Sequence, residues 1–180
     1  MAPSGSFVVG AGGYPAVELT TALPRVEAVE ATVRRVDPSA VWALRARVLR
    51  RGQPASAGRF EGDDHPQVAV FAALRSDASA APVGTATVSP APCPWRPEAT
   101  DSWRVRAMAT DDEVRGQGIG AQVLDAALAH VAQEGGRLVW CDARVAARTF
   151  YERRGFVVGG EQFEVEGIGP HWPMARHLAG

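Results

Sequence analysis

Gly116, Gly118 and Gly120 stand at alternate positions directly after Arg115. They head a run in which Ile119, Val123, Ala127, Leu128 and Val131 recur with the period of an α-helix. The first N–H groups of a helix find no acceptor within it, and the helix dipole places about half a positive charge at that end. Glycine lets a ligand come close to such a backbone, and Arg115 adds a permanent cation with several donors. The chemistry this combination suits is the binding of a pyrophosphate. About thirty residues on, Tyr151 offers a phenol able to hydrogen-bond a developing anion.

The glycine run alone admits three readings. It can be a tight connection and nothing more. It can be a dinucleotide turn, because Gly116-x-Gly118-x-x-Ala121 fits G-x-G-x-x-G/A and Asp142 supplies an acid at the end of the next strand. Against this, a polar stretch from Thr110 to Arg115 separates the preceding strand from Gly116, and too little chain follows Asp142 to build further strand–helix units. The third reading rests on a family resemblance, given below with the residues that carry it. A P-loop is excluded, since it needs a lysine and the chain has none.

The 180 residues suit one domain able to bury a core. Forty-six per cent apolar and 22 % charged residues is ordinary globular composition. A net charge of −1 gives no bulk field for nucleic acid or an anionic membrane, so neither is an expected partner. All 19 basic residues are arginine, which rules out a Schiff-base lysine or a lysine general base. Asparagine is absent and isoleucine occurs only at Ile119 and Ile168, a codon bias that points to a GC-rich bacterial genome. Cys93 and Cys141 form no C-x-x-C pair, so no metal site is expected and both read as free thiols. No apolar run reaches the roughly 18 residues of a membrane span, and no basic-then-apolar leader is visible. The expected compartment is the cytoplasm.

Residues 1–30 are rich in Gly, Ala, Pro and Ser and read as an extension, in which Phe7-Val8-Val9 can form an edge strand. The domain is expected over 31–180. Strands are expected at Ala31–Val36, Val68–Arg75, Val83–Ser89, Trp103–Ala109 and Leu138–Cys141. Phe156–Val158, Gln162–Val165 and Trp172–His177 complete them. A helix begins near Asp37-Pro38-Ser39, with Arg45, Arg47, Arg50 and Arg51 on its wet side. Others run from the glycine loop to about Glu134 and from Ala146 to Arg154. The class is α/β, or α+β with a mixed sheet.

Two ordered motifs carry a resemblance. Arg115-x-x-Gly118-x-Gly120 resembles the R/Q-x-x-G-x-G/A signature of the GNAT N-acetyltransferase superfamily. Phe150-Tyr151-Glu152-Arg153-Arg154-Gly155-Phe156 is similar to that family's F/L-Y-x-x-x-G-F segment. The resemblance covers about Ala31 to Leu178. It implies a central splayed mixed sheet of about six or seven strands flanked by helices.

It also implies an enzyme that moves an acetyl group from acetyl-coenzyme A to a primary amine by direct attack in a ternary complex, without a metal. Carried over, Met108, Ala109 and Thr110 pair with the pantetheine arm. Arg115, Gly116, Gln117, Gly118, Ile119, Gly120 and Ala121 hold the pyrophosphate. Tyr151 is the general acid beside the sulfur. Where the family often has Asn, this chain has Arg144, which is assigned to coenzyme A.

Glu61, Asp63 and His65, in the loop where such proteins grip their acceptor, and His171, before the last strand, are the acceptor-side candidates. No residue is singled out as the general base. The acceptor is a small-molecule or peptide amine, and the resemblance allows a homodimer. Two other functions remain open: a non-catalytic coenzyme A-binding sensor or partner protein, and an NAD-binding protein.

Overall fold

The computed structural model describes residues 29–179, so most of the expected N-terminal extension, including Phe7–Val9, lies outside the described residues. Eight strands, β1 (Ala31–Val36), β2 (Ala69–Arg75), β3 (Pro82–Pro90), β4 (Ser102–Thr110), β5 (Leu138–Arg144), β6 (Val157–Val158), β7 (Phe163–Val165) and β8 (Gly169–His177), form one sheet. Its order is β1-β2-β3-β4-β5-β8-β6, with β7 also on β8. The described residues also hold three α-helices, α1 (Trp42–Leu49), α2 (Ile119–Gln133) and α3 (Arg148–Glu152), and four short 3₁₀ turns.

Among the described strands only β4 and β5 pair in parallel, and α2 makes the crossover between them. The period that marked α2 in the sequence is its buried stripe. Ile119, Val123, Leu124, Ala127, Leu128 and Val131 pack on Ala69, Phe71, Ala73, Val88, Trp103, Val105 and Val139. The opposite face takes Val70, Ala72 and Leu74 of β2 under Val41, the residue before α1. Each face therefore has its own helix layer, which explains why β2 as far as Leu74 and the start of β5 are apolar at every position.

His130 on α2 lies between the rings of Phe71 and Trp103, at 5.6 and 5.9 Å. Burial holds its pKa below the ordinary imidazole value, with Arg35 adding repulsion. The unfolded chain therefore takes up this proton at a higher pH than the fold does. The associated stability is complete above about pH 6.5 and is lost as pH falls through the lowered folded value. Thermal unfolding should show a drop in Tm between about pH 7.5 and about pH 5 that His130→Gln reduces.

The feature that shapes the site is a fork. Hydrogen-bonded pairing of β4 with β5 covers only Ser102–Arg104 against Leu138–Trp140. Beyond Arg104 and Trp140 the two strands part, while β4 stays paired to β3 as far as Thr110. Between Arg106 and Ala109, β4 carries Ala107 and Met108 against the single residue Ala86 of β3. Ala107 sits at φ +52°, a left-handed conformation costing about 1–2 kcal/mol for a non-glycine residue. This bulge turns the strand where it borders the fork.

The sequence-based elements differ at their ends. The helix expected over 146–154 is a 3₁₀ turn at Val145–Ala147 followed by α3, and β8 starts at Gly169 instead of Trp172. The latter shift has a cause: β7 pairs with Gly169–His171 and extends the strand backward through Pro170.

Candidate active site

Gly118 is the N-cap of α2, at φ +84°, and Gly116 lies at φ +78°. Both conformations favour glycine, and a Cβ at either position would meet no protein atom within 4 Å. Gln122 N–H is the first of the helix to bond back, to Gly118 O at 3.1 Å. The N–H groups of Gly116, Gly118, Ile119, Gly120 and Ala121 find no acceptor among the described residues. This row of donors faces open space at the positive end of a fifteen-residue helix.

The rest of the loop is anchored. Gln117 accepts from Val29 N–H at 2.8 Å and donates to Glu113 O at 3.3 Å. Arg115 is exposed and pairs with Asp112 at 2.7 Å.

Gly120 brings the donor row to the end of β4. A Cβ there would lie 3.1 Å from Thr110 Oγ1 and 3.5 Å from the Phe150 ring, so the small residue lets the helix start close on the end of β4. Met108 and Thr110 are half-buried along the fork, and Ala109 is buried.

Tyr151 reaches the same fork from α3. Its ring meets Phe150 and Phe156 edge-on, each at 5.2 Å, and its hydroxyl lies against the thiol of Cys141. Cys141 is the first residue of β5 beyond the last pair with β4. Burial pushes the phenol well above its ordinary value and raises the Cys141 thiol as well. Tyr151 is therefore a neutral donor throughout the physiological range.

The opposite side of the fork holds a cleft of about 490 Å³, lined by Trp95, Arg104, Trp140, Asp142, Phe163 and Pro173 among others. Arg104 donates to Asp142 at 2.7 Å and lies over the Trp140 ring at 4.9 Å. His171 belongs to β8 on this face, in register with Arg144 and 6.1 Å from the Phe163 ring. Its Nδ1 is 2.7 Å from Gly169 O, so Nδ1–H donates and a neutral ring keeps the Nε2 lone pair free. Arg144 itself is exposed at the end of β5, with no hydrogen-bond or ion-pair partner among the described residues.

The acceptor-side loop divides. Glu61 and His65 are exposed, and His65 Nδ1 accepts from Gln67 N–H at 3.3 Å. Asp63 turns inward, at 3 % exposure. It accepts from Arg45 at 2.7 Å, from Phe60 N–H at 3.0 Å and from Arg106 at 3.4 Å. A carboxylate so committed braces the loop against α1 and β4, so Asp63 is not an open acceptor-gripping group. Arg45 is likewise corrected: it is fully buried, not on the wet side of α1, and also donates to Thr87 Oγ1 at 2.6 Å. Asp63→Ala should leave two guanidiniums uncompensated and destabilise the fold by about 3–5 kcal/mol, lowering Tm by roughly 6–20 °C in a melting experiment.

Sequence reasoning missed the Arg104–Asp142 pair and Arg106. The signal was present: Arg104 and Arg106 alternate with Trp103 and Val105, which places both arginines on one face of β4.

Among the described residues, no three His, Cys, Asp or Glu side chains are grouped to hold a metal ion, and no helix is long and apolar enough to cross a membrane.

A mixed sheet that opens at β4 and β5, with a glycine-rich helix start at the opening, is the GNAT fold. The acetyltransferase (GNAT) domain model matches residues 78–178, and the chain belongs to this family. A Bacillus subtilis (strain 168) relative named YitI, called an uncharacterized N-acetyltransferase, is 29 % identical over 146 residues, spanning 81 % of this chain and 95 % of its own. Among solved structures, a candidate N-acetyltransferase of Lactobacillus plantarum has a TM-score of 0.68 at 24 % identity, covering 83 % of this chain and 99 % of its own. An aminoglycoside 6'-N-acetyltransferase complexed with coenzyme A has a TM-score of 0.64 at 14 % identity, over 83 % and 98 % of the two chains.

Proposed function

We propose that this protein transfers an acetyl group from acetyl-coenzyme A to a primary amine, by direct attack in a ternary complex. The observation that carries the reading is the row of unpartnered N–H groups at Gly116 and from Gly118 to Ala121, joined through Gly120 and Thr110 to a fork that Tyr151 borders. These donors, with Arg115, bind the pyrophosphate. Open backbone at Met108, Ala109 and Thr110 pairs with the pantetheine arm. Coenzyme A supplies the thioester.

The amine nitrogen attacks the thioester carbonyl carbon. The C–S bond breaks, an amide forms, the nitrogen loses one proton and the leaving sulfur gains one. An alkylammonium has a pKa of about 10, so the amine must be deprotonated before attack. His171, with Nε2 free, is the candidate to take that proton on the cleft side. On the other side, Tyr151 hydrogen-bonds the developing thiolate. A phenol raised above about 10 is a weaker acid than a thiol near 8.5, so full proton transfer from Tyr151 is uphill. Its contribution is therefore charge stabilisation by a preorganised donor, and the departing thiolate takes its proton from solvent.

The test is incubation with acetyl-coenzyme A and a broad panel of amines, following free thiol and acetylated product. Amine-dependent thiol release supports the reading. Tight coenzyme A binding with no thiol release from any amine would instead identify a sensor.

A further inference from the structure

The cleft side of the fork carries a row of charges that does not balance. Arg104 lines the cleft and Arg106 stands beside it on β4, with Arg45 enclosed in the core behind them; among the described residues only Asp63 and Asp142 pair with these three guanidiniums. Arg45 and Arg106 share the single carboxylate of Asp63, with Arg45 fully enclosed. Arg104 and Arg106 stand two residues apart on one face of β4, close enough for the charge of Arg104 to disfavour that of Arg106. The Nε of Arg104 is buried with no hydrogen-bond partner. Repulsion among partly buried cations is costly, so an anion brought into the cleft by a ligand would be held there. The walls at the same place are Trp95, Trp140 and Phe163, with Trp95 and Trp140 packed edge-on at 5.4 Å. Aromatic walls of this kind accept an apolar side chain.

We infer that the acceptor is an apolar or aromatic α-amino acid, or a close amino-carboxylate analogue. The excess positive charge of Arg104 and Arg106 holds its carboxylate, Trp95, Trp140 and Phe163 house its side chain, and Asp142 draws its ammonium to the fork. The inference rests on the acetyl-transfer reading above and adds the chemistry of the substrate. It argues against polycations, which Arg104 at the cleft and Arg106 beside it would repel. The cleft volume of about 490 Å³ is ample for one such molecule.

The experiment compares kcat/KM of the wild-type protein for each amino acid and its decarboxylated partner: phenylalanine with 2-phenylethylamine, tryptophan with tryptamine, leucine with isopentylamine. Serine and spermidine complete the panel. Coenzyme A binding is measured separately by calorimetry. The expected result is a preference of about tenfold or more for the carboxylate-bearing member of each apolar pair, with serine and spermidine poorer still. Arg106→Gln should shrink that preference toward unity while leaving coenzyme A affinity in place. Equal or better use of the decarboxylated amines or of spermidine overturns the inference. So does failure to acetylate any apolar amino acid while coenzyme A binds. Absence of coenzyme A binding would sink the acetyl-transfer reading itself, which separates the two failures.

Discussion

Tyr151→Phe is expected to lower kcat by about 10²–10³-fold while changing coenzyme A affinity by no more than about twofold. The substitution removes one oxygen and keeps the ring that packs on Phe150 and Phe156, so the fold around it is retained. What disappears is the hydroxyl that lies against Cys141, the first residue of β5 beyond its pairing with β4. Steady-state thiol release and calorimetry on the same preparation read the two quantities. A variant with wild-type kcat would mean that the phenol plays no part in the chemistry.

The same residue predicts the alkaline behaviour. Its folded pKa is raised, so the stability tied to the neutral phenol is fully present below about pH 10 and is lost as pH rises through the folded value. Activity should accordingly show no falling limb from this group below about pH 10.

Gly118→Val should weaken coenzyme A binding by about 100-fold or more, measured by calorimetry. Two effects combine. At φ +84° a β-branched residue is strained by about 1–2 kcal/mol. The added methyls would also stand in the open space next to the unpartnered N–H groups, where no protein atom lies within 4 Å of a Cβ. Gly118→Ala separates the two: it bears the conformational strain and so loses stability, but fills less of the ligand's space and should bind more tightly than the valine variant.

Much of the architecture could be read from local pattern. The helical stripe of α2 and the apolar run opening β5 are signals of burial on one face and on two, and both elements lie where those signals put them. The class of the fold and the family followed from motifs that ride on those elements. What could not be read was pairing across distance. Arg45 fits the wet side of α1 by period alone; its partner Asp63 is eighteen residues away in a loop, and no periodicity reports such a contact. By position Asp142 fits the acid that follows a dinucleotide turn, yet it pairs with Arg104 across the fork. The bulge at Ala107 leaves no mark in the sequence, because alanine has no preference for the conformation it adopts there. The two arginines of β4 were visible as an interruption of an apolar strand. Their meaning needed the sheet register that sets them beside the cleft.

The central claim is that the main chain from Gly116 to Ala121 holds the diphosphate of coenzyme A. Amide NMR of the ¹⁵N-labelled protein titrated with coenzyme A tests it most directly. The account predicts that the N–H resonances of Gly116, Gly118, Ile119, Gly120 and Ala121 shift downfield together and saturate with the calorimetric affinity. Resonances that stay in place while coenzyme A binds would contradict it.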